Sequence, residues 1–123
     1  MAIYTNLQVY KDSYRLMLMV YRMMPDLPRD CRYTLGQDLR HKIMDIIVLI
    51  YRANRTKQKL KPIGDMRERL LEAQVYMRLM CDMKYISEKR YAELAELAVS
   101  MSKQMTAWEK SELRKQGDGG QAD

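Results

Sequence analysis

The sequence predicts an all-α protein that folds as an antiparallel, up-down four-helix bundle. Its 123 residues are enough for one domain with one hydrophobic core. Proline and glycine together number only eight, and three of the five glycines fall within the last seven residues. Four successive stretches carry apolar side chains at alternating intervals of three and four residues, which is the spacing of one buried helix face. Few helix breakers and four such stretches favour long helices over short strands.

The first predicted helix covers residues 3–24. Pro25 and Pro28 end it, because proline lacks the amide hydrogen and disfavours a helical conformation in the residue before it. Intervals of four and three residues predict a buried face made of Ile3, Leu7, Tyr10, Tyr14, Met17, Tyr21 and Met24.

The second predicted helix covers residues 34–58 and the third covers residues 63–84. Thr34 and Gln37 have the spacing of a capping box, which satisfies the free amides of a first helical turn. Asp65 and Glu68 suit the start of the third helix, and Pro62 suits its first position as an alternative. The predicted buried faces are Leu39, Ile43, Ile46, Ile50 and Ala53, followed by Met66, Leu70, Ala73, Met77 and Met80.

The fourth predicted helix covers residues 87–114 and completes a domain that spans residues 1–114. Ser87 is a favourable N-cap, and Ile86 and Tyr91 have the spacing of a hydrophobic staple. Residues 115–123 are rich in glycine and polar side chains, so we expect a disordered tail there. The predicted buried face is Tyr91, Leu94, Ala98, Met101, Met105 and Trp108.

The first and third helices each carry a second apolar face. A wide four-helix core could bury these side chains within one subunit. Alternatively they meet other subunits, because large exposed apolar patches usually mark interfaces. The second interpretation predicts an oligomer interface made of Val9, Leu16, Val20, Met23, Leu71, Val75 and Leu79.

Catalytic and metal-binding patterns are missing from the sequence. His41 is the only histidine, no Glu-x-x-His pair is present, and neither glycine-rich phosphate-binding fingerprint occurs. Neither Cys31 nor Cys81 lies in a sequence motif that would pair a nucleophile with a base. We therefore expect no enzyme activity, no metal and no cofactor.

The two isolated cysteines fit reduced thiols better than a disulfide framework. The N-terminal residues lack the basic and apolar regions of a signal peptide, and no apolar run approaches the roughly 20 residues of a membrane span. These observations predict a cytoplasmic protein without a membrane partner.

Positive charge concentrates between Pro25 and Lys61. This stretch has five more basic than acidic residues, in a chain whose net charge is +6. No acidic residue lies between Ile46 and Gly64, and Arg52, Arg55 and Lys59 would form a stripe opposite the buried face of a long second helix. The stripe is either a solvated surface or a site for phosphate groups. The candidate nucleic-acid-binding residues are Arg29, Arg32, Arg40, Arg52, Arg55, Lys57, Lys59 and Lys61.

Several segments together resemble a known family. They are Pro28-Arg29, Arg32-Tyr33-Thr34-Leu35-Gly36, Leu39, Leu49-Ile50, Arg52-Ala53-Asn54-Arg55 and Trp108. In this set the chain resembles the accessory variability determinant (Avd) proteins of diversity-generating retroelements. These belong to a four-helix-bundle superfamily that also contains the 23S rRNA intervening-sequence proteins. The similarity in layout covers nearly all of the chain, from residue 4 to residue 113.

The resemblance implies a bacterial or phage-encoded protein that assembles into a homopentameric barrel with a positive surface. It implies an accessory role in which the barrel binds a reverse transcriptase together with RNA or DNA and supports mutagenic retrohoming. The chemistry would then belong to the polymerase. The alternative is a structural or protein-interaction module of the intervening-sequence type with no role in nucleic-acid binding.

Overall fold

The computed structural model of the protein describes residues 7–119, and within them the chain forms four long α-helices and no strand. The four helices are α1 (Leu7–Met23), α2 (Gln37–Arg55), α3 (Leu60–Asp82) and α4 (Glu88–Gly119). The chain between α1 and α2 is also helical for most of its length. It forms a 3-10 turn (Met24–Asp26), one α-helical turn (Arg29–Cys31) and a π-helical turn (Arg32–Gly36) that continues into α2.

The helices form a closed ring in which each packs on its neighbours in sequence and α1 packs on α4. Early residues of one helix meet late residues of the next, so neighbouring helices run antiparallel. The pairs that mark the four contacts are Tyr10–Tyr51, Lys42–Glu72, Arg67–Glu109 and Asp12–Gln104. None of the helices within residues 7–119 combines the length and apolar composition that crossing a bilayer demands.

The predicted buried faces of α2 and α3 are confirmed in full, and that of α4 in all but one residue. Their side chains line the common core, where most are fully buried. Tyr91 at the start of α4 is the exception, because it lies half-buried at the edge of the core. The long helices therefore follow the apolar spacing in three of the four segments.

The first helix buries its second apolar face rather than the predicted one, although Met24 of the predicted face is also buried and Tyr10 and Met17 lie half-buried against the core. Tyr14 and Tyr21 are 47% and 43% exposed, whereas the other apolar face is at most 2% exposed. The assignment of that other face to an oligomer interface is therefore wrong for Val9, Leu16, Val20 and Met23. Of the predicted face, Ile3 lies outside the described residues, as do residues 3–6 of the predicted helix.

Two polar residues on the buried side of α1 explain the error. The Asp12 carboxylate accepts hydrogen bonds from Gln8 Nε2 at 2.9 Å, Ser100 Oγ at 3.0 Å and Gln104 Nε2 at 2.7 Å. Ser13 Oγ donates to the Val9 carbonyl at 2.7 Å. These partners satisfy groups that would otherwise be costly to bury, and they orient this side of α1 towards α4.

Two predicted caps are absent because helical backbone already precedes each of them. Thr34 lies inside the π-helical turn, and its hydroxyl donates to the Asp30 carbonyl at 2.6 Å. Asp65 lies in the second turn of α3 and pairs with Lys61 at 3.0 Å. Pro62 falls in the first turn of α3, where its missing amide hydrogen leaves no bond unmade.

The connection between α3 and α4 agrees with the prediction at Ser87. The Ser87 Oγ accepts a hydrogen bond from the Arg90 amide at 3.0 Å, which caps α4. Lys84 ends α3 in a left-handed conformation with φ of 64°. The Tyr85 and Lys84 amides bond the Met80 and Cys81 carbonyls at 2.9 Å, which is the pattern of a Schellman motif.

The last helix is longer than the sequence indicates. The tail predicted to be disordered from residue 115 is instead helical to Gly119, and residues 120–123 lie outside the described part. Gly117 lies in open space with no neighbouring atom within 4 Å of an added Cβ. The helix therefore continues there without packing constraints on that residue.

Candidate nucleic-acid interface

The outward surface shared by α1 and α2 combines tyrosine rings with basic side chains. We define this α1–α2 face by Tyr10, Tyr14 and Tyr21 of α1 and by Arg40, Met44, Val48, Tyr51, Arg52 and Arg55 of α2. Tyr10 stacks on Tyr14 with ring centroids 6.3 Å apart, and it meets the Tyr51 ring edge to face at 5.5 Å. These contacts join the two helices into one continuous aromatic surface.

Carboxylates are directed away from the α1–α2 face. Asp45 pairs with Arg69 of α3 at 3.8 Å, and Asp38 accepts a hydrogen bond from the Tyr76 hydroxyl at 3.5 Å. Asp12, the one acid of α1, is buried against α4. The acids of both helices therefore lie on sides where they cannot neutralise the basic residues of this face.

The predicted basic residues differ in how free they are to meet a ligand. Four are exposed, and in the part of the chain that the structure describes they take part in no ion pair. These four are Arg29, Arg52, Arg55 and Lys57. Arg52, Arg55 and Lys57 lie together at the end of α2. Unpaired cations close together repel one another, and an anion bound among them would relieve that repulsion.

Arg32 has a structural role that the sequence did not predict. Its Nε donates to the Met24 carbonyl, and its Nη2 donates to the Pro25 and Leu27 carbonyls, each at 3.1 Å. The guanidinium thus caps the 3-10 turn that follows α1. A side chain with its donors engaged in this way has little left for phosphate.

Lys59 lies outside the predicted stripe, and Lys61 has a carboxylate partner. The α2 helix ends at Arg55, so Lys59 is not part of a stripe along that helix. Its Nζ donates to the Ala53 carbonyl at 2.6 Å and to the Thr56 carbonyl at 2.8 Å, which caps the end of α2. Lys61 is exposed but paired with Asp65.

Arg40 lies at the far end of the α1–α2 face. Its guanidinium carbon sits 5.1 Å from the centre of the Tyr21 ring, a cation–π contact that fixes the side chain along α1. Arg40 is half-buried, so it contributes less accessible charge than Arg52 or Arg55.

The end of α2 forms a shallow open depression of about 370 Å³. Its lining consists of Val48, Tyr51, Arg52, Arg55 and Thr56. The Tyr51 hydroxyl donates a hydrogen bond to the Tyr10 hydroxyl at 3.3 Å, and Tyr51 is still 47% exposed. The pairing of these two hydroxyls, which can share one proton when the pair ionises, together with burial, raises the pKa of Tyr10. The ring of Tyr51 is thus held in place with much of its surface free.

The sequence analysis missed the tyrosines of this face because it placed Tyr10, Tyr14 and Tyr21 in the core. It did not single out Tyr51. Projecting both helices together would have placed aromatic residues beside the arginines, which is a usual composition of surfaces that bind single-stranded nucleic acids.

Other titratable groups give no sign of a reactive centre. Burial raises the pKa of the Cys31 thiol, which disfavours the reactive thiolate. The hydrogen bond from Lys42 lowers the pKa of Glu72, as expected for an ordinary ion pair. Between residues 7 and 119, the His, Cys, Asp and Glu side chains form no group of three that could hold a metal ion.

The outward side of α3 carries an exposed apolar stripe, which we call the α3 stripe. It consists of Leu71, Val75 and Leu79, which are 62%, 61% and 39% exposed. The spacing of four residues places the three side chains along one side of the helix. Of the seven predicted interface residues, these three are accessible.

Comparisons with known proteins agree with this architecture. A family model described as bAvd-like matches residues 7–112. The chain is also similar in fold to the crystal structure of a protein of unknown function from the S23 ribosomal protein family of Bacteroides thetaiotaomicron. The TM-score is 0.78 at 12% sequence identity, and the match covers 86% of this chain and 98% of that one. A search of curated proteins found no match.

Proposed function

Because the chain belongs to the bAvd-like family, we propose that it is a non-catalytic accessory protein that binds nucleic acid and a reverse transcriptase in support of mutagenic retrohoming. The polymerase partner follows from the resemblance to Avd proteins. The nucleic-acid role is supported by the α1–α2 face, where arginines without an ion pair among the described residues stand beside exposed tyrosines, and where the carboxylates of both helices are engaged on other sides.

The binding we propose is to the phosphate backbone and therefore tolerant of sequence. Arg29, Arg52, Arg55 and Lys57 are the residues that we expect to contact phosphates. Arginine suits bidentate contacts, and lysine suits a point contact with a single charge. Contacts to phosphate carry no information about base sequence.

Salt dependence is the direct test of this proposal. For a single-stranded RNA, the logarithm of affinity should fall linearly with the logarithm of salt concentration, by about 0.7 for each phosphate neutralised. Engagement of the four cations of one subunit predicts a slope of about −3 in fluorescence anisotropy titrations. Binding that does not respond to salt, or no binding at low salt, would contradict the proposal.

We propose further that the protein self-associates through the α3 stripe, as in the pentamer that the resemblance implies. Each large apolar side chain of the stripe gains roughly 1.5–3 kcal/mol when it is fully removed from water. The same stripe also favours a second candidate function, a protein-interaction module without nucleic-acid binding. That alternative predicts binding of a protein partner that is independent of salt.

The double variant Leu71→Glu with Val75→Glu should give smaller particles in light scattering, because two charges would have to be buried in the interface. The matched control is Met44→Glu with Val48→Glu, which places the same change at the same spacing on α2. Its mass should equal that of the unaltered protein. If the control dissociates and the α3 variant does not, self-association occurs through the α1–α2 face instead.

A further inference from the structure

The depression at the end of α2 has a composition suited to one nucleotide. It offers an aromatic ring on Tyr51, a branched aliphatic side chain on Val48, and guanidinium groups on Arg52 and Arg55. Its volume of about 370 Å³ lies within the usual range for small-ligand sites. A flat ring beside two cations suits a ligand with a planar base and a phosphate.

The end of a helix ordinarily repels anions, because its free carbonyls carry partial negative charge. Here the Lys59 ammonium binds the carbonyls of Ala53 and Thr56 and offsets that charge. The cap keeps Lys59 from acting as a ligand contact itself. Arg52 and Arg55 therefore lie beside a helix end whose partial negative charge is offset, so that a phosphate is less strongly repelled there.

The ring that would receive the base is held before a ligand arrives. Tyr51 packs edge to face on Tyr10, and a hydrogen bond joins their hydroxyls. Tyr10 is in turn stacked on Tyr14. A ring fixed in this way loses little conformational freedom on binding, which favours stacking of a base on its free surface.

From these contacts we infer that the depression binds one unpaired nucleotide, with its base against Tyr51 and Val48 and its phosphate at Arg52 and Arg55. The inference rests on the proposed function and narrows its ligand to single-stranded nucleic acid. Duplex bases stack on one another, so their faces are not free to meet a tyrosine ring.

The experiment compares two single strands with equal numbers of phosphates. One is an oligothymidylate of about 12 nucleotides, which is within the usual site sizes for single-strand binding. The other is an abasic strand of the same length. The unaltered protein should bind the oligothymidylate at least about fivefold more tightly, since one stacked base contributes that much or more.

Variants of Tyr51 locate the preference. Tyr51→Leu should remove most of the difference between the two strands and leave affinity for the abasic strand unchanged. Tyr51→Phe retains the ring and should retain the preference. Tyr33→Leu is the matched control, because Tyr33 is exposed and lies before α2, outside the depression. It should bind as the unaltered protein does.

The outcomes separate the two proposals. Binding of both strands with equal affinity, unaffected by Tyr51→Leu, would overturn this inference and leave the proposed function standing. An equal effect of Tyr33→Leu and Tyr51→Leu would also overturn it. Binding of neither strand at low salt would overturn both proposals. A smaller particle for Tyr51→Leu in light scattering would assign the ring to a subunit contact and overturn the inference.

Discussion

Replacing Arg52, Arg55 and Lys57 together by glutamate should weaken binding of single-stranded RNA by on the order of 100-fold or more at moderate salt. Each charge-assisted hydrogen bond contributes about 1.5–3 kcal/mol, so losing several exceeds the 2.8 kcal/mol or so that corresponds to 100-fold. The salt slope should become shallower by about 2, because three phosphate contacts are lost. Fluorescence anisotropy across a salt series measures both quantities.

A matched control carries the same change of charge on another helix. Lys89, Lys103 and Lys110 are exposed on α4, outside the α1–α2 face. Replacement of these three lysines by glutamate should leave most of the affinity for single-stranded RNA intact. Lys59 is left unaltered because it caps α2, and circular dichroism should show the same helical content in both variants. Equal losses from the two triple variants would mean that net charge, not the position of the three cations at the end of α2, governs binding.

Replacing Arg32 by alanine should lower the free energy of unfolding by roughly 2–4 kcal/mol, because three hydrogen bonds from one guanidinium are lost together. Lysine should rescue little, since a single ammonium does not reproduce the planar fork of donors that reaches Met24, Pro25 and Leu27. Chemical denaturation monitored by circular dichroism measures the change. The salt slope for RNA binding should stay the same.

Arg29 provides the converse case, three residues away in sequence. It is exposed and has no ion pair among the described residues, so Arg29→Ala should change stability by no more than about 0.5 kcal/mol. The dependence of RNA affinity on salt should become shallower by about 0.7 in the Arg29→Ala variant. If Arg32→Ala proves as stable as Arg29→Ala and instead reduces the salt slope, the assignment of Arg32 to the turn is wrong.

The apolar spacing in the sequence was sufficient to predict the buried faces of α2, α3 and α4, because most of their buried positions are apolar. It failed on α1, where Asp12 and Ser13 occupy buried positions and tyrosines occupy the exposed side. Only the partners on α4 make a buried carboxylate acceptable there, and these lie about ninety positions away in the chain. A pattern within one helix carries no information about such partners.

The family segment Arg32-Tyr33-Thr34-Leu35-Gly36 was found correctly, but its residues mainly build the fold. Gly36 lies so close to the preceding turn that an added Cβ would meet Met24 Sδ at 3.0 Å and Leu27 Cδ1 at 3.1 Å. The carbonyls that Arg32 binds belong to that same turn. Charge alone therefore grouped Arg32 with Arg29, and only the three-dimensional structure separates their roles.

The amine of Lys59 lies between two carbonyls on either side of the point where α2 stops. Thr56 supplies one of them and also lines the depression. The linker to α3 consequently acts as a clamp on the last turn of α2, and the contour presented to a ligand depends on a residue that never touches it. We expect a linker altered in length or composition to reshape the ligand site while every residue in that site stays the same.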